Sequence, residues 1–180
     1  MGANFALIGG MAVSIRTTER LTKDIDFVIA VTDDREAEEF VMSLSRSGYY
    51  VDTVLQQEAV DRFSAVRLLS RGEAEMYFDL LFASSGIEPE VVATAEHAEI
   101  FPGIVGPVAT IPSLIALKVL SANMDNRLQD IIDLKNLLKE ASADDLDKAR
   151  ELMRLITARG YNRDKDLLAD LEKYRRMASS

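Results

Sequence analysis

Two aspartates, Asp24 and Asp26, stand one residue apart inside the apolar run TKDIDFVIAV, Thr22 to Val31. In a strand, residues two apart project to the same face, so both carboxylates point together while Ile25 and Phe27 turn into the core. Side-by-side carboxylates repel, which raises the pKa of one unless a cation lies between them. A hard divalent ion such as Mg²⁺ takes oxygen ligands and removes that repulsion. Asp79, in YFDLL, is a third acid inside an apolar run. If its strand neighbours the first, three carboxylates face one point, an arrangement suited to metal-assisted phosphoryl chemistry. The plainer alternative for each acid is a helix cap or an ion pair with Lys or Arg, because acids are seldom buried without partners.

Gly9 and Gly10 end the run FALIGG, and residues 11 to 23 separate them from the acids. A glycine pair that closes a strand and opens a helix lets backbone N–H groups approach an anion, and the helix dipole adds positive potential. Lys118, in LIALKVLSA, is placed to neutralise phosphate charge if its helix flanks the cleft, or else lies along a helix surface. Asp130 and Asp133 stand three apart on one face of a following helix, where they orient a cation such as Lys118 or form a solvated face. Arg20 either contacts a phosphate or pairs with Asp24. His97 reads as a surface or edge residue.

The elements that must position these residues fall into two kinds. Residues 5–110 alternate β-rich apolar runs with turn signals, and one helix begins after the capping residues Thr32 or Asp33. Residues 85–110 carry Pro and Gly clusters and read as short edge strands. From Ile111 onward the pattern is amphipathic helices with period 3.6, the first opened by Pro112. The layout is α+β: a core over residues 1–110 and a helical region over 111–180 that packs on it or flanks it.

Composition narrows the chemistry further. The 180 residues carry a net charge of −9, which excludes a general nucleic-acid coat and leaves only a local basic groove of Arg16, Arg20, Lys23, Lys118 and Arg127. Without Cys and with one His, thiolate and His-rich metal sites are excluded. No apolar run reaches the ~20 residues of a membrane helix. The N-terminus lacks the layout of a signal peptide, so a cytoplasmic location is expected.

The stretch LIGGMAVSIRTTERLTKDIDFVIAV resembles the signature of the polymerase-β-like nucleotidyltransferase superfamily, in the form similar to AbiEii-like toxin nucleotidyltransferases. Arg20, Thr22, Asp24, Ile25 and Asp26 match the local pattern, and Asp79 matches the third acid on a later strand. Lys118 followed by Asp130 and Asp133 resembles the helical motif, with Gln129 where that motif has a basic residue. The resemblance implies a small mixed sheet followed by helices. It implies Mg²⁺ held by Asp24, Asp26 and Asp79, and an NTP contacted by Gly9, Gly10, Arg20, Thr22, Asp130 and Asp133. The implied reaction moves a nucleoside monophosphate to a hydroxyl of a protein, an RNA or a small molecule, with Lys118 assisting, and the implied setting is a toxin–antitoxin pair. The alternative is a binding or regulatory module of the same fold with little or no turnover. Relatives commonly carry a helix ahead of the first strand, and the short lead here makes a homodimer an expectation.

Overall fold

The computed structural model describes residues 4–18, 21–22, 24–57, 61–70, 76–123 and 128–178. Arg20, Lys23 and Arg127 lie outside the described residues, and so do the expectations placed on them. The strands are β1 (Phe5–Ile8), β2 (Asp24–Ile29), β3 (Tyr49–Gln57), β4 (Arg62–Ser70), β5 (Tyr77–Leu81), β6 (Glu96–Phe101) and β7 (Ile104–Val108). The helices are α1 (Gly9–Arg16), α2 (Asp34–Arg46), α3 (Glu88–Ala93), α4 (Ile111–Ser121), α5 (Leu128–Glu140), α6 (Ala143–Ala158) and α7 (Leu167–Ala178).

One mixed seven-stranded sheet runs in the order β3-β4-β5-β2-β1-β7-β6. β2 and β5 are parallel neighbours, as are β1 and β7, while the remaining pairs are antiparallel. Parallel pairing needs a long connection, and α2 with the β3–β4 hairpin supplies it between β2 and β5. Period-two alternation then divides the faces. Ile29, Val66, Leu68 and Leu80 pack with Ala37 and Val41 of α2 on one side. Val28 joins a larger core with Ala12 and Val13 of α1 and with buried residues of α4, α5, α6 and α7. Burying side chains such as Leu114, Ile115, Leu134 and Met153 contributes about 2 kcal/mol each, which fixes the helical layer against the sheet.

Local signals explain the element ends. Asp33 caps α2, its Oδ1 accepting the Glu36 N–H at 2.9 Å. Ser142 and Asp145 form a reciprocal capping box on α6. Residues 85–110 differ from expectation, because they hold the short helix α3 before the two strands. Pro89 opens that helix, where its missing N–H has no partner to lose. Of the two strands, only β6 is an edge; β7 is flanked by β1 and β6.

Candidate functional site

The registers of three strands draw the acids together. Asp26 in β2 lies opposite Asp79 in β5, and Asp79 lies opposite Arg67 in β4. Residues directly opposite share a face, with strands about 4.8 Å apart. The result is a charged row across the sheet, Asp26, Asp79, Arg67, with Asp24 one pleat along β2 on the same face. All four line a cleft of about 790 Å³ between this end of the sheet and α4 with the start of α5.

Arg67 engages the row directly. Its Nε donates to Asp79 Oδ1 at 2.7 Å and its Nη2 to Asp79 Oδ2 at 2.6 Å, a bidentate fork. The same Nη2 reaches Asp24 Oδ2 at 3.5 Å. The guanidinium carbon lies 5.5 Å from the Tyr77 ring centroid, so the plane rests near an aromatic face. Hydrogen bonding to Asp79 and the surrounding carboxylates push the guanidinium pKa upward, so Arg67 stays charged.

Asp26 sits in a different environment. Burial first, then the charges of Asp79 and Asp24, push its carboxyl up to about 6, against lowering by Lys118 and by the Gly10 N–H. Gly9 explains how the carboxylate fits there. A Cβ on Gly9 would lie 1.8 Å from Asp26 Oδ2, and Gly9 has φ +65. Gly9 therefore clears the ground for Asp26 at the N-terminus of α1, whose dipole favours an anion. The Gly10 N–H, expected to face a phosphate, lies on the Asp26 side of the turn and favours the ionised form of that carboxyl.

Lys118 of α4 is buried near the same carboxylate. Its Nζ donates to Asp130 Oδ1 at 2.6 Å and pairs with Asp133 Oδ2 at 2.8 Å. Ser121 Oγ donates to Asp130 Oδ2 at 3.0 Å, and Gln129 Nε2 donates to Asp133 Oδ1 at 3.0 Å. Asp133 is 0% exposed and does not line the cleft, so the expectation that it contacts a nucleotide is corrected: it anchors Lys118 from behind. Asp130 does line the cleft while holding the same ammonium. Two acids locking one lysine fix its rotamer, the support a cation beside Asp26 requires.

The far wall is built by loops. Glu88 is 4% exposed, and its Oε1 accepts from Ser84 N, Ser85 N and Ser85 Oγ at 2.9, 2.6 and 2.8 Å. This fixes the turn after β5 and sets Ser84 and Ser85 in the cleft wall. Tyr161 packs against Gly86, where a Cβ would come within 2.5 Å of the ring, and Arg163 Nη2 donates to the Ser84 carbonyl at 3.2 Å.

Of the sequence-derived candidates, Gly9, Gly10, Thr22, Asp24, Asp26, Asp79, Lys118 and Asp130 border this cleft. Thr22 Oγ1 donates to the Asp24 carbonyl at 3.2 Å. Arg16 leaves the expected basic groove, because it bonds Ala109 O and Val108 O at 3.0 Å each and Glu96 at 2.8 Å, tying α1 to β7. His97 is exposed on the edge strand β6, away from the acids. Sequence reasoning missed Arg67, although RFSAVRLLS carries the same signal as YFDLL, a charge inside an apolar strand.

For a divalent ion the donor set fits in chemistry: carboxylate oxygens only, one carboxyl held near 6 by burial and like charge. Among the described residues no group of three acids or histidines already converges as a metal cage. Both Asp79 oxygens are held by the Arg67 fork.

Comparison with known proteins places the chain. The family model described as "Nucleotidyl transferase AbiEii toxin, Type IV TA system" matches residues 1–179. None of the curated proteins matches. Among solved structures, an antigenic nucleotidyltransferase-like protein from Paracoccidioides brasiliensis gives a TM-score of 0.51 at 19% identity, covering 94% of this chain and 84% of that one. ANT(2")-Ia in complex with adenylyl-2"-tobramycin gives 0.53 at 14% identity, covering 87% and 88%. At such identities the likeness is one of fold. With the family model spanning almost every residue, this chain belongs to the AbiEii nucleotidyltransferase toxin family of type IV toxin–antitoxin systems.

Proposed function

We propose that the cleft binds a nucleoside triphosphate with Mg²⁺ and transfers its nucleoside monophosphate to a hydroxyl acceptor. The observation that carries this is the placement of Asp24, Asp26 and Asp79 on one face of two adjacent parallel strands, beside the N-terminus of α1. Asp24 and Asp26 would hold the ion, with Asp79 joining from β5. Bound Mg²⁺ supplies neutralisation of phosphate charge and alignment of the α-phosphate.

The chain's own residues do the rest. Lys118, fixed by Asp130 and Asp133, offers a positioned positive charge toward the phosphates. Asp79 takes the proton of the acceptor hydroxyl as its oxygen bonds to the α-phosphorus. The bond from that phosphorus to the bridging oxygen breaks, and pyrophosphate leaves. Thr22 and the Gly9–Gly10 turn hold the acids in place. Positioning supplies most of the acceleration, since phosphoryl transfer asks little covalent help. Membership of a type IV toxin–antitoxin family supports an antitoxin as the biological partner. Among the described residues no helix is long and apolar enough to cross a membrane.

The test is transfer of label from α-³²P-labelled NTPs, with Mg²⁺, into protein, RNA or small-molecule fractions of a lysate. Incorporation that disappears in Asp24→Asn and Asp79→Asn supports the reading. Metal-dependent NTP binding with no incorporation points instead to the binding-module alternative, which the Arg67 fork on Asp79 favours.

A further inference from the structure

We propose that Arg67 is a positioning residue that holds Asp79 until the phosphates of a nucleoside triphosphate take over its guanidinium, so that Asp79 turns to the divalent ion only when nucleotide is bound. The inference rests on the reading of the cleft as a nucleotide site and assigns that site its order of assembly.

Four observations carry it. Arg67 is not a distant surface cation that happens to reach inward; its Cα is the register partner of Asp79, itself the register partner of Asp26. The fork occupies both Asp79 oxygens, at 2.7 and 2.6 Å, and touches Asp24 at 3.5 Å. One guanidinium thus engages two of the three carboxylates a metal pair would use, and its charge opposes any cation arriving beside it. Arg67 is also open to the cleft, with its side chain 38% exposed. Solvent and ligand can reach the pair from the cleft, and a planar guanidinium fork fits a phosphate as well as a carboxylate. Finally, the Tyr77 ring at 5.5 Å gives the guanidinium a platform near which it turns from one partner to the other.

The exchange makes nucleotide and metal binding mutually dependent. Whatever draws Arg67 off Asp79 strengthens metal binding, and the reverse holds by linkage. The dependence lies in the protein and is separable from the ordinary pairing of metal with triphosphate, because it is readable with metal alone.

The experiment is titration of the nucleotide-free protein with Mn²⁺, read by electron paramagnetic resonance of the free ion, in wild type, Arg67→Met, Arg67→Gln, and each of these combined with Asp79→Asn. Circular dichroism confirms that each variant is folded, and the Gln variant serves if the Met variant is not. The expected result is Mn²⁺ binding at least tenfold tighter in the Arg67 variants than in wild type. Adding Asp79→Asn to either variant should remove that gain, because the freed Asp79 is what the ion acquires. The Arg67 variants should also bind a non-hydrolysable NTP analogue more weakly at saturating Mn²⁺. Mn²⁺ affinity within threefold of wild type in both Arg67 variants overturns the proposal while leaving the nucleotide-site reading intact. So does a gain that Asp79→Asn leaves untouched, which would be the bare effect of removing a positive charge. No Mn²⁺ binding by any of these proteins overturns the proposal; failure of the nucleotide-site reading is read separately, as no binding of any NTP in the presence of Mg²⁺.

Discussion

Replacing Asp26 by Asn should stabilise the protein in the absence of metal, and the gain should appear only as pH rises. The Asp26 carboxyl ionises at about 6 instead of 3.8, chiefly through burial and then the charges of Asp79 and Asp24. Between those values the native protein keeps a proton that the unfolded chain has lost. Stability therefore falls as pH increases through this window, and the full penalty is present above the native pKa. At about 1.4 kcal/mol per pH unit, the penalty is about 3 kcal/mol. The Asn amide is itself desolvated, which returns part of the gain and leaves about 2 kcal/mol. Urea denaturation with EDTA, from pH 4 to pH 8, measures both proteins. The variant should be slightly less stable than wild type near pH 4, overtake it as pH rises toward 6, and run parallel above pH 7 about 2 kcal/mol more stable. On the proposed function, addition of Mg²⁺ and nucleotide should reverse the order, since ligand held through this carboxylate would stabilise wild type alone. A stability difference that does not change with pH, or a variant less stable at pH 8, would refute the electrostatic reasoning.

Gly9→Ala places a methyl 1.8 Å from Asp26 Oδ2 at φ +65; the expected loss is about 3 kcal/mol, read as a fall of roughly 9 °C in Tm. Lys118→Met removes the ammonium 2.8 Å from the fully buried Asp133 and should cost about 3–5 kcal/mol in urea denaturation, with much of it recovered when Asp133→Leu is added. Glu88→Ala strips two backbone donors and a hydroxyl of their acceptor and should cost about 3 kcal/mol, with faster amide hydrogen exchange at Ser84 and Ser85 as the local readout.

What the sequence makes legible follows the range of the forces involved. Asp24 and Asp26 share a face because strand period is two, and that is a local fact. The cap of α2 falls on Asp33, and α4 opens at Ile111–Pro112, both set by residues within a turn of the boundary. The convergence of Asp79 with Asp26 depends on parallel pairing between strands separated by a helix and a hairpin, which no local pattern encodes. Arg67 is hidden for the same reason, since only the β4–β5 register turns an arginine in an apolar strand into the partner of Asp79. Asp130 and Asp133 show the limit of helical spacing: one reaches the cleft, while the other is turned fully inward. The glycine pair is read as a phosphate cradle from its place between strand and helix. The structure adds a nearer demand, the room Asp26 needs against the backbone.

The central claim is that carboxylates from β2 and β5 act as one cation-dependent nucleotide site. Calorimetric titration of the protein with each of the four NTPs, with and without Mg²⁺, tests it most directly. The account predicts that at least one NTP binds only when Mg²⁺ is present, and that Asp24→Ala with Asp26→Ala abolishes this binding in a protein that remains folded. Binding of no NTP under either condition, or binding unaffected by loss of both aspartates, would contradict it.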